Sequence, residues 1–303
     1  MAAQTFIFRW FAPHRALRPY IHCYGLFASF HPENDRPPRL LPGEESHQFF
    51  HPGDPLADRV IPSGYVVVTF NLGDAFGFQD ALGTEWLKQP GYAIGPTKRA
   101  SRFLFGRSTQ QLGVMFHPGR AGAFFDCPVE VLTGRILPLG DVWGAAGRDL
   151  ERRLQELPAL ELRLERIERE LLHRLRRGPA LDERFASIAT LIHSSRGAIG
   201  VESLSESSGL SRQHLTRKFR RQFGIGPKQY CRVARFEALM THVYSHMLPG
   251  SGWANPAVPK FGLQDSWAGV AAEFGYYDQA HLISEFKEFT GLTPTQFFAP
   301  RPI

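Results

Sequence analysis

The clearest periodic pattern in the chain lies between residues 211 and 223, where apolar and polar positions separate onto different faces of a helix. Leu215, Phe219 and Phe223 recur every four residues, and the positions between them are polar or basic. Ser211, directly before this segment, is a typical N-cap residue. The pattern predicts a helix with one face in a core and another face turned outward.

The same pattern returns 67 positions further along the chain (215 to 282). A short helical segment precedes each copy, Val201–Ser207 in the first and Trp267–Glu273 in the second. Gly209 and Gly275 can then supply the positive φ of a tight turn. The matched pairs are Leu215 and Leu282, Phe219 and Phe286, Gly224 and Gly291, Pro227 and Pro294, Gln229 and Gln296, and Tyr230 and Phe297. A duplicated helix-turn-helix unit is the interpretation.

Residues from about 185 to 298 resemble the DNA-binding domain of AraC-family transcription regulators. The resemblance rests on GLSRQHLTRKFRRQFGIGPKQY and GYYDQAHLISEFKEFTGLTPTQFF, in this order. It implies an all-α domain over 183–303 with modules at about 199–224 and 265–291, joined by a helix over Gln229–His246. The Gly/Pro-rich insertion at about 247–264 departs from the family pattern and is either a surface loop or an added contact surface.

The resemblance also implies which side chains meet double-stranded DNA. Base contacts are expected from Arg212, Gln213, Thr216 and Arg217. Phosphate or weaker contacts are expected from Arg220, Arg221, Lys228, Gln279, His281 and Lys287. In the second helix Glu285 is expected to face phosphates and to be repelled. The first module should therefore read most of the sequence, leaving the second as a weak contact, a spacer or a face for RNA polymerase.

Charge supports a polyanionic partner. The formal net charge is +6, a value that enzymes without nucleic-acid partners also reach. Its distribution says more, because eight cations and no carboxylate lie between Ser211 and Arg235. They are Arg212, Arg217, Lys218, Arg220, Arg221, Lys228, Arg232 and Arg235. The segment Asp265–Phe298 is instead dominated by carboxylates.

Residues 1–140 carry short apolar runs separated by Pro and Gly turns, which predicts a small β-barrel or sandwich. Strands are expected at Gln4–Phe11, Ser63–Leu72, Arg102–Phe105 and Gln111–Phe116. The stretches PHRALRPYIHCY and VIPSGYVVVTFNLGD resemble N-terminal sensor-like domains of AraC-family proteins. This resemblance implies a cupin-like barrel followed by helices. The predicted fold class is α+β, with a β-barrel domain before the all-α domain.

Residues 141–177 show helical periodicity, with a break expected at Pro158. Leu164, Ile167, Leu171 and Leu175 form an apolar stripe that either packs on the barrel or joins two subunits in a homodimer. Residues 178–182 are the predicted interdomain linker, and Leu181–His193 begins the next helix.

The cysteines and histidines argue against a disulfide-rich protein and against a metal site. Cys23, Cys127 and Cys231 lie far apart and form neither a disulfide framework nor a zinc motif. The histidines His22, His31, His47, His51 and His117 lack the spacing of a cupin metal site. We expect no metal, no cofactor and no catalytic residue.

The N-terminus has no apolar signal core, and no run approaches the ~20 residues of a membrane span. We expect a cytoplasmic transcription regulator, an activator by family precedent, with an unidentified small-molecule effector or self-association acting through the N-terminal domain. The alternative is a β-barrel enzyme or ligand-binding protein with an accessory helical domain. A methyl-accepting DNA-repair regulator would need a cysteine cluster that the chain lacks.

Overall fold

The computed structural model describes residues 5–30, 59–80, 83–104, 108–247 and 267–298. Within these ranges the strands precede the α-helices, as the predicted α+β class requires. The strands are β1 (Thr5–Phe11), β2 (Ile21–Phe30), β3 (Arg59–Val60), β4 (Val66–Asn71), β5 (Phe76–Asp80), β6 (Gly83–Leu87), β7 (Gly91–Ile94), β8 (Ser101–Leu104), β9 (Thr109–Phe116) and β10 (Ile136–Pro138). The helices are α1 (Leu139–Glu156), α2 (Leu160–Arg177), α3 (Arg184–Ser194), α4 (Val201–Ser208), α5 (Arg212–Phe223), α6 (Pro227–Met247), α7 (Trp267–Glu273), α8 (Gln279–Thr290) and α9 (Pro294–Phe297).

The strands form two antiparallel sheets. The larger sheet has the order β1-β2-β9-β4-β7-β10, and the smaller has the order β3-β8-β5-β6. In β9 the buried positions Leu112, Val114 and Phe116 alternate with half-buried ones, which is the period of a strand with one face on the core.

The expected closed barrel is corrected to two open sheets. The β5–β6 hairpin pairs with β8 rather than with an edge of the larger sheet, so β1 and β10 remain edge strands among the described strands. The sheets meet through a small apolar contact in which the Phe76 and Tyr92 rings lie 5.8 Å apart. Apolar packing, without strand pairing, therefore joins the two sheets.

Helices α1 and α2 cover the larger sheet. Leu150 and Leu154 of α1 and Ile167 and Leu171 of α2 are fully buried in the same core as the β4 and β9 side chains. The predicted break occurs between α1 and α2, around Pro158. The sequence left open whether the apolar stripe of α2 packs on the N-terminal sheet domain or on a second subunit. In the structure the stripe packs within the chain.

The C-terminal helices form a second core. The repeated residues Leu215, Phe219, Leu282 and Phe286 are all fully buried in it. The insertion at about 247–264 lies, beyond Met247, outside the described residues. The two modules therefore share one core, with α6 running between them.

Candidate nucleic-acid interface

Helix α5 presents a polar face because its apolar stripe is locked in the core. The helix starts after Ser211, whose hydroxyl accepts a hydrogen bond from the His214 N–H at 3.4 Å. Leu215, Phe219 and Phe223 are buried, and the Phe219 and Phe223 rings stack with centroids 4.1 Å apart. This packing fixes the rotation of the helix about its axis.

The four residues predicted to contact bases lie together on the outer face of α5. Arg212, Gln213 and Arg217 are exposed, and Thr216 is half-buried beside them. Their spacing of one, four and five residues places them on adjacent positions of one helical surface. The predicted phosphate contacts in this module, Arg220, Arg221 and Lys228, are also exposed. Six of these seven side chains thus lie along α5, from Arg212 to Arg221, and Lys228 lies in the first turn of α6.

Two cations of α5 have carboxylate partners. Arg212 pairs with Glu202 at 3.0 Å, and Lys218 lies 3.5 Å from Asp182. An exposed pair such as Arg212–Glu202 contributes at most about 1 kcal/mol, so phosphate can replace the carboxylate. Among the described residues no ion pair is formed by Arg217, Arg220, Arg221 or Lys228. Their charge is available to a polyanion.

The second module offers fewer cations. Gln279, His281 and Lys287 are exposed on α8, as a DNA-contacting role would require. Asp278 caps α8 by accepting a hydrogen bond from the His281 N–H at 2.7 Å. The imidazole Nδ1 of His281 accepts the Tyr277 N–H at 3.2 Å, so this ring is held at the start of the helix.

The expected position of Glu285 is wrong. Its side chain is 3% exposed, and its Oε2 lies 2.7 Å from Nε of Arg232 on α6. Because a cation on α6 offers a partner inside the domain, the carboxylate turns inward rather than toward phosphates. The expected repulsion of DNA by Glu285 therefore has no structural basis.

Arg232 joins the linking helix to α8. One terminal nitrogen lies 2.6 Å from Glu288 Oε2, and the guanidinium sits 5.0 Å from the centre of the Phe289 ring. The hydrogen bonds with Glu288 and Glu285 raise the pKa of Arg232. Sequence reasoning counted this arginine among the free cations and missed its role. The available signal was the three-residue spacing of Glu285 and Glu288, which puts two carboxylates on one side of α8.

The N-terminal domain forms hydrogen bonds with the C-terminal ends of α5 and α8. The sequence did not predict these contacts. Three of the joining hydrogen bonds are from Thr133 Oγ1 to the Gly224 carbonyl (2.7 Å), from Gln222 Nε2 to the Gly119 carbonyl (3.0 Å) and from Ala100 N–H to the Phe289 carbonyl (2.7 Å). They lie at the C-terminal ends of α5 and α8 and leave the N-terminal turns of both helices outward.

A second contact between the domains is made by the middle of α6. The Gly64 N–H donates to Glu237 Oε1 at 3.2 Å, and Gly64 lies so close to the Tyr230 ring that a Cβ atom would be 2.5 Å from it. Burial raises the pKa of Glu237 to about 7, although the Gly64 hydrogen bond opposes the shift. The neighbouring Tyr65 is half-buried at the same contact, where Glu237 contributes to the raised pKa of its hydroxyl.

The described part of the chain holds no cluster of three or more His, Cys, Asp or Glu residues that could bind a metal. His22 and His117 do approach each other, with ring centroids 5.3 Å apart. The other histidines considered from the sequence, His31, His47 and His51, lie outside the described residues. No helix in the described ranges combines the length and the apolarity needed to cross a bilayer.

Two short helix–turn–helix units are joined by a long helix, and the first unit carries a basic outward face. This arrangement defines the helix-turn-helix class of DNA-binding proteins. Residues 199–232 match the family of bacterial regulatory helix-turn-helix proteins, AraC family. Residues 9–138 match a domain of unknown function, DUF6597. The chain therefore carries an AraC-family helix-turn-helix domain in its C-terminal part and a DUF6597 domain in its N-terminal part.

No curated protein matches the chain. Among solved structures, ToxT from Vibrio cholerae O395 is similar with a TM-score of 0.42 and 9% identity, covering 81% of this chain and 95% of that chain. A second crystal form of ToxT from Vibrio cholerae gives a TM-score of 0.44 at 9% identity, covering 79% and 95%. Wild-type ToxT of strain SCE256 with a bound unsaturated fatty acid gives 0.41 at 9% identity, covering 79% and 88%. These likenesses are distant.

Proposed function

We propose that the chain is a sequence-specific transcription regulator that reads the major groove mainly through α5. The observation that carries this proposal is the outward face of α5, where Arg212, Gln213, Thr216 and Arg217 lie together. An arginine can bind guanine and a glutamine can bind adenine through two hydrogen bonds each, worth about 1–3 kcal/mol of discrimination per base pair. Arg217 and Gln213 are the residues of these types best placed along the helix.

The surrounding cations supply affinity without sequence information. Arg220, Arg221 and Lys228 flank the base-reading face and have no carboxylate partner among the described residues. Contacts with phosphates release counterions, so binding should weaken steeply with salt. Gln279, His281 and Lys287 of α8 add weaker contacts in this proposal.

The unequal division between the modules rests on the exposed side chains of the two helices. The outer surface of α5 offers several arginines, whereas that of α8 offers Lys287 and the paired carboxylate Glu288. The inward position of Glu285 removes the repulsion argument but leaves this difference. The second module then serves as a weak contact, a spacer or a face for RNA polymerase.

Regulation by an effector or by self-association enters through the N-terminal domain. Thr133 and Ala100 donate hydrogen bonds to the ends of α5 and α8, and the Gly119 carbonyl accepts one from Gln222. These bonds support this part of the proposal, because a change in the N-terminal domain can alter the relative placement of the two helices. The fully buried stripe residues of α2 are engaged within the chain, so a homodimer would need another surface.

The test is selection of bound duplexes from a pool of random DNA with the purified full-length chain. The proposal predicts one strong block of selected bases, with a weaker block about one helical turn away if α8 also reads bases. Two blocks of equal strength would refute the unequal division. Recovery of no motif, with binding that depends only on salt, would refute sequence-specific function.

A further inference from the structure

A cleft of about 450 Å³ opens between the end of β1, the start of β2 and His117, which follows β9 of the larger sheet. This volume lies within the roughly 300–1,000 Å³ of small-molecule sites. The apolar lining includes Trp10, Phe11 and Pro13, and Trp10 is 38% exposed. The polar lining side chains are Arg18, His22 and His117. The cleft therefore combines an apolar wall with a group of hydrogen-bond donors.

Among the residues that the structure describes, those lining the cleft include Arg18, His22 and His117 but neither Asp nor Glu. The His22 and His117 rings meet edge to face at 5.3 Å, and burial lowers the pKa of both. The pKa of His117 is lowered further by His22 and Arg120. Nε of Arg18 donates to the Pro13 carbonyl at 3.3 Å, which ties the guanidinium to the cleft. The lowered pKa values favour neutral imidazoles, so Arg18 supplies the positive charge of the cleft and each ring can offer at most one N–H donor. A guanidinium beside such donors is complementary to an anion.

One lining residue, His22, connects the cleft to the contact with α6. The ring of His22 lies 5.7 Å from the ring of Tyr65. Next to Tyr65 the Gly64 N–H donates to Glu237 on α6, and Gly64 packs on the Tyr230 ring. A shift of His22 would thus displace Tyr65 and, through Gly64, the contact with Tyr230 and Glu237 on α6.

We propose that this cleft binds a small organic anion with an apolar body, of the aromatic carboxylate class, and that His22 and Tyr65 transmit its occupancy to α6. The carboxylate lies against Arg18, His22 and His117, and the apolar body lies against Trp10 and Phe11. The effect on DNA binding rests on the proposed function, whereas binding in the cleft does not.

Binding is tested by isothermal titration of the full-length chain with 2-naphthoate and with the neutral probe 2-naphthol. The prediction is saturable binding of 2-naphthoate, about tenfold tighter than that of 2-naphthol because of the charge-assisted hydrogen bonds. Arg18→Gln should weaken 2-naphthoate binding about tenfold and leave 2-naphthol unchanged. Arg15→Gln, which removes an exposed arginine from the same turn outside the cleft, is the matched control.

Three results would overturn the site: absence of saturable 2-naphthoate binding, equal affinity for both probes, or equal effects of Arg18→Gln and Arg15→Gln. Transmission is measured as the change in affinity for a selected duplex when 2-naphthoate is added, expected to be about fivefold or more. Tyr65→Leu should keep probe binding and abolish this change. Retention of the full change in Tyr65→Leu would refute the path through Tyr65.

The two proposals fail in different ways. Sequence-specific DNA binding without saturable 2-naphthoate binding would refute the cleft and leave the regulator intact. Tight, Arg18-dependent probe binding in a chain that selects no DNA motif would refute the proposed function and leave the cleft intact.

Discussion

The repeat supplies a matched pair of glycines that tests how the N-terminal domain holds α5. Gly224 and Gly291 end equivalent helices with φ of 82° and 79°. A Cβ atom on Gly291 would meet nothing within 4 Å, whereas one on Gly224 would lie 2.6 Å from Thr133 Oγ1 and 3.0 Å from Pro96 Cγ. Alanine is strained at both positions because φ is positive, with ψ of −33° at Gly224 and −4° at Gly291, but only the substitution at Gly224 also disturbs the interface.

The magnitudes follow from these distances. An alanine at positive φ costs about 1–2 kcal/mol, which is the full expected loss for Gly291→Ala. Gly224→Ala adds overpacking of about 1–3 kcal/mol, since Thr133 and Pro96 must move and the hydrogen bond from Thr133 to the Gly224 carbonyl is strained. We therefore expect Gly224→Ala to lower the free energy of unfolding by about 2–5 kcal/mol in total.

Urea denaturation of the full-length chain, followed by circular dichroism, measures both losses. Repeating the comparison in a Thr133→Ala background removes the nearest obstacle and should shrink the difference between the two glycine variants. Equal losses for Gly224→Ala and Gly291→Ala would refute the interface contact. So would a difference that survives unchanged in the Thr133→Ala background.

Two further predictions concern buried carboxylates. Arg232→Ala should cost about 3–5 kcal/mol in urea denaturation because it leaves the charge of Glu285 buried, whereas Arg221→Ala should stay within about 0.5 kcal/mol. Similar losses for both variants would contradict the Arg232 contact. Because burial raises the pKa of Glu237 from its ordinary 4.5 to about 7, the folded chain keeps a proton that the unfolded chain loses. The contribution of this group to stability is thus complete below pH 4.5 and is lost as pH rises through 7, by up to about 3 kcal/mol. Glu237→Gln should remove that loss in denaturation curves across this range, and an unchanged pH slope would contradict it.

The local parts of the fold were predictable because they depend on short sequence patterns. The cap at Ser211, the apolar stripe and the closing Gly224 define α5 within about one residue of its observed bounds. Duplication then predicted α8 from α5, and Asp278 caps it as expected. The break at Pro158 followed from the missing backbone N–H of proline.

The unpredicted parts depend on contacts distant in sequence. Whether the strands close a barrel is decided by which sheet the β5–β6 hairpin joins, and a strand pattern does not encode its partner. The inward turn of Glu285 required a cation 53 residues away, Arg232. The hydrogen bond between Thr133 and Gly224 spans 91 residues and leaves no local signal.

The central claim, that α5 reads bases, is tested most directly by Arg217→Ala. Its affinity should be measured on the selected duplex and on a panel in which each base pair is replaced in turn. We predict a loss of about 1–3 kcal/mol of discrimination at one base pair, with the other preferences unchanged. Arg221→Ala should weaken all duplexes alike and reduce the salt slope by about 1. Arg169→Ala, on the exposed surface of α2, should change neither. Uniform weakening by Arg217→Ala, with every base preference retained, would contradict the account.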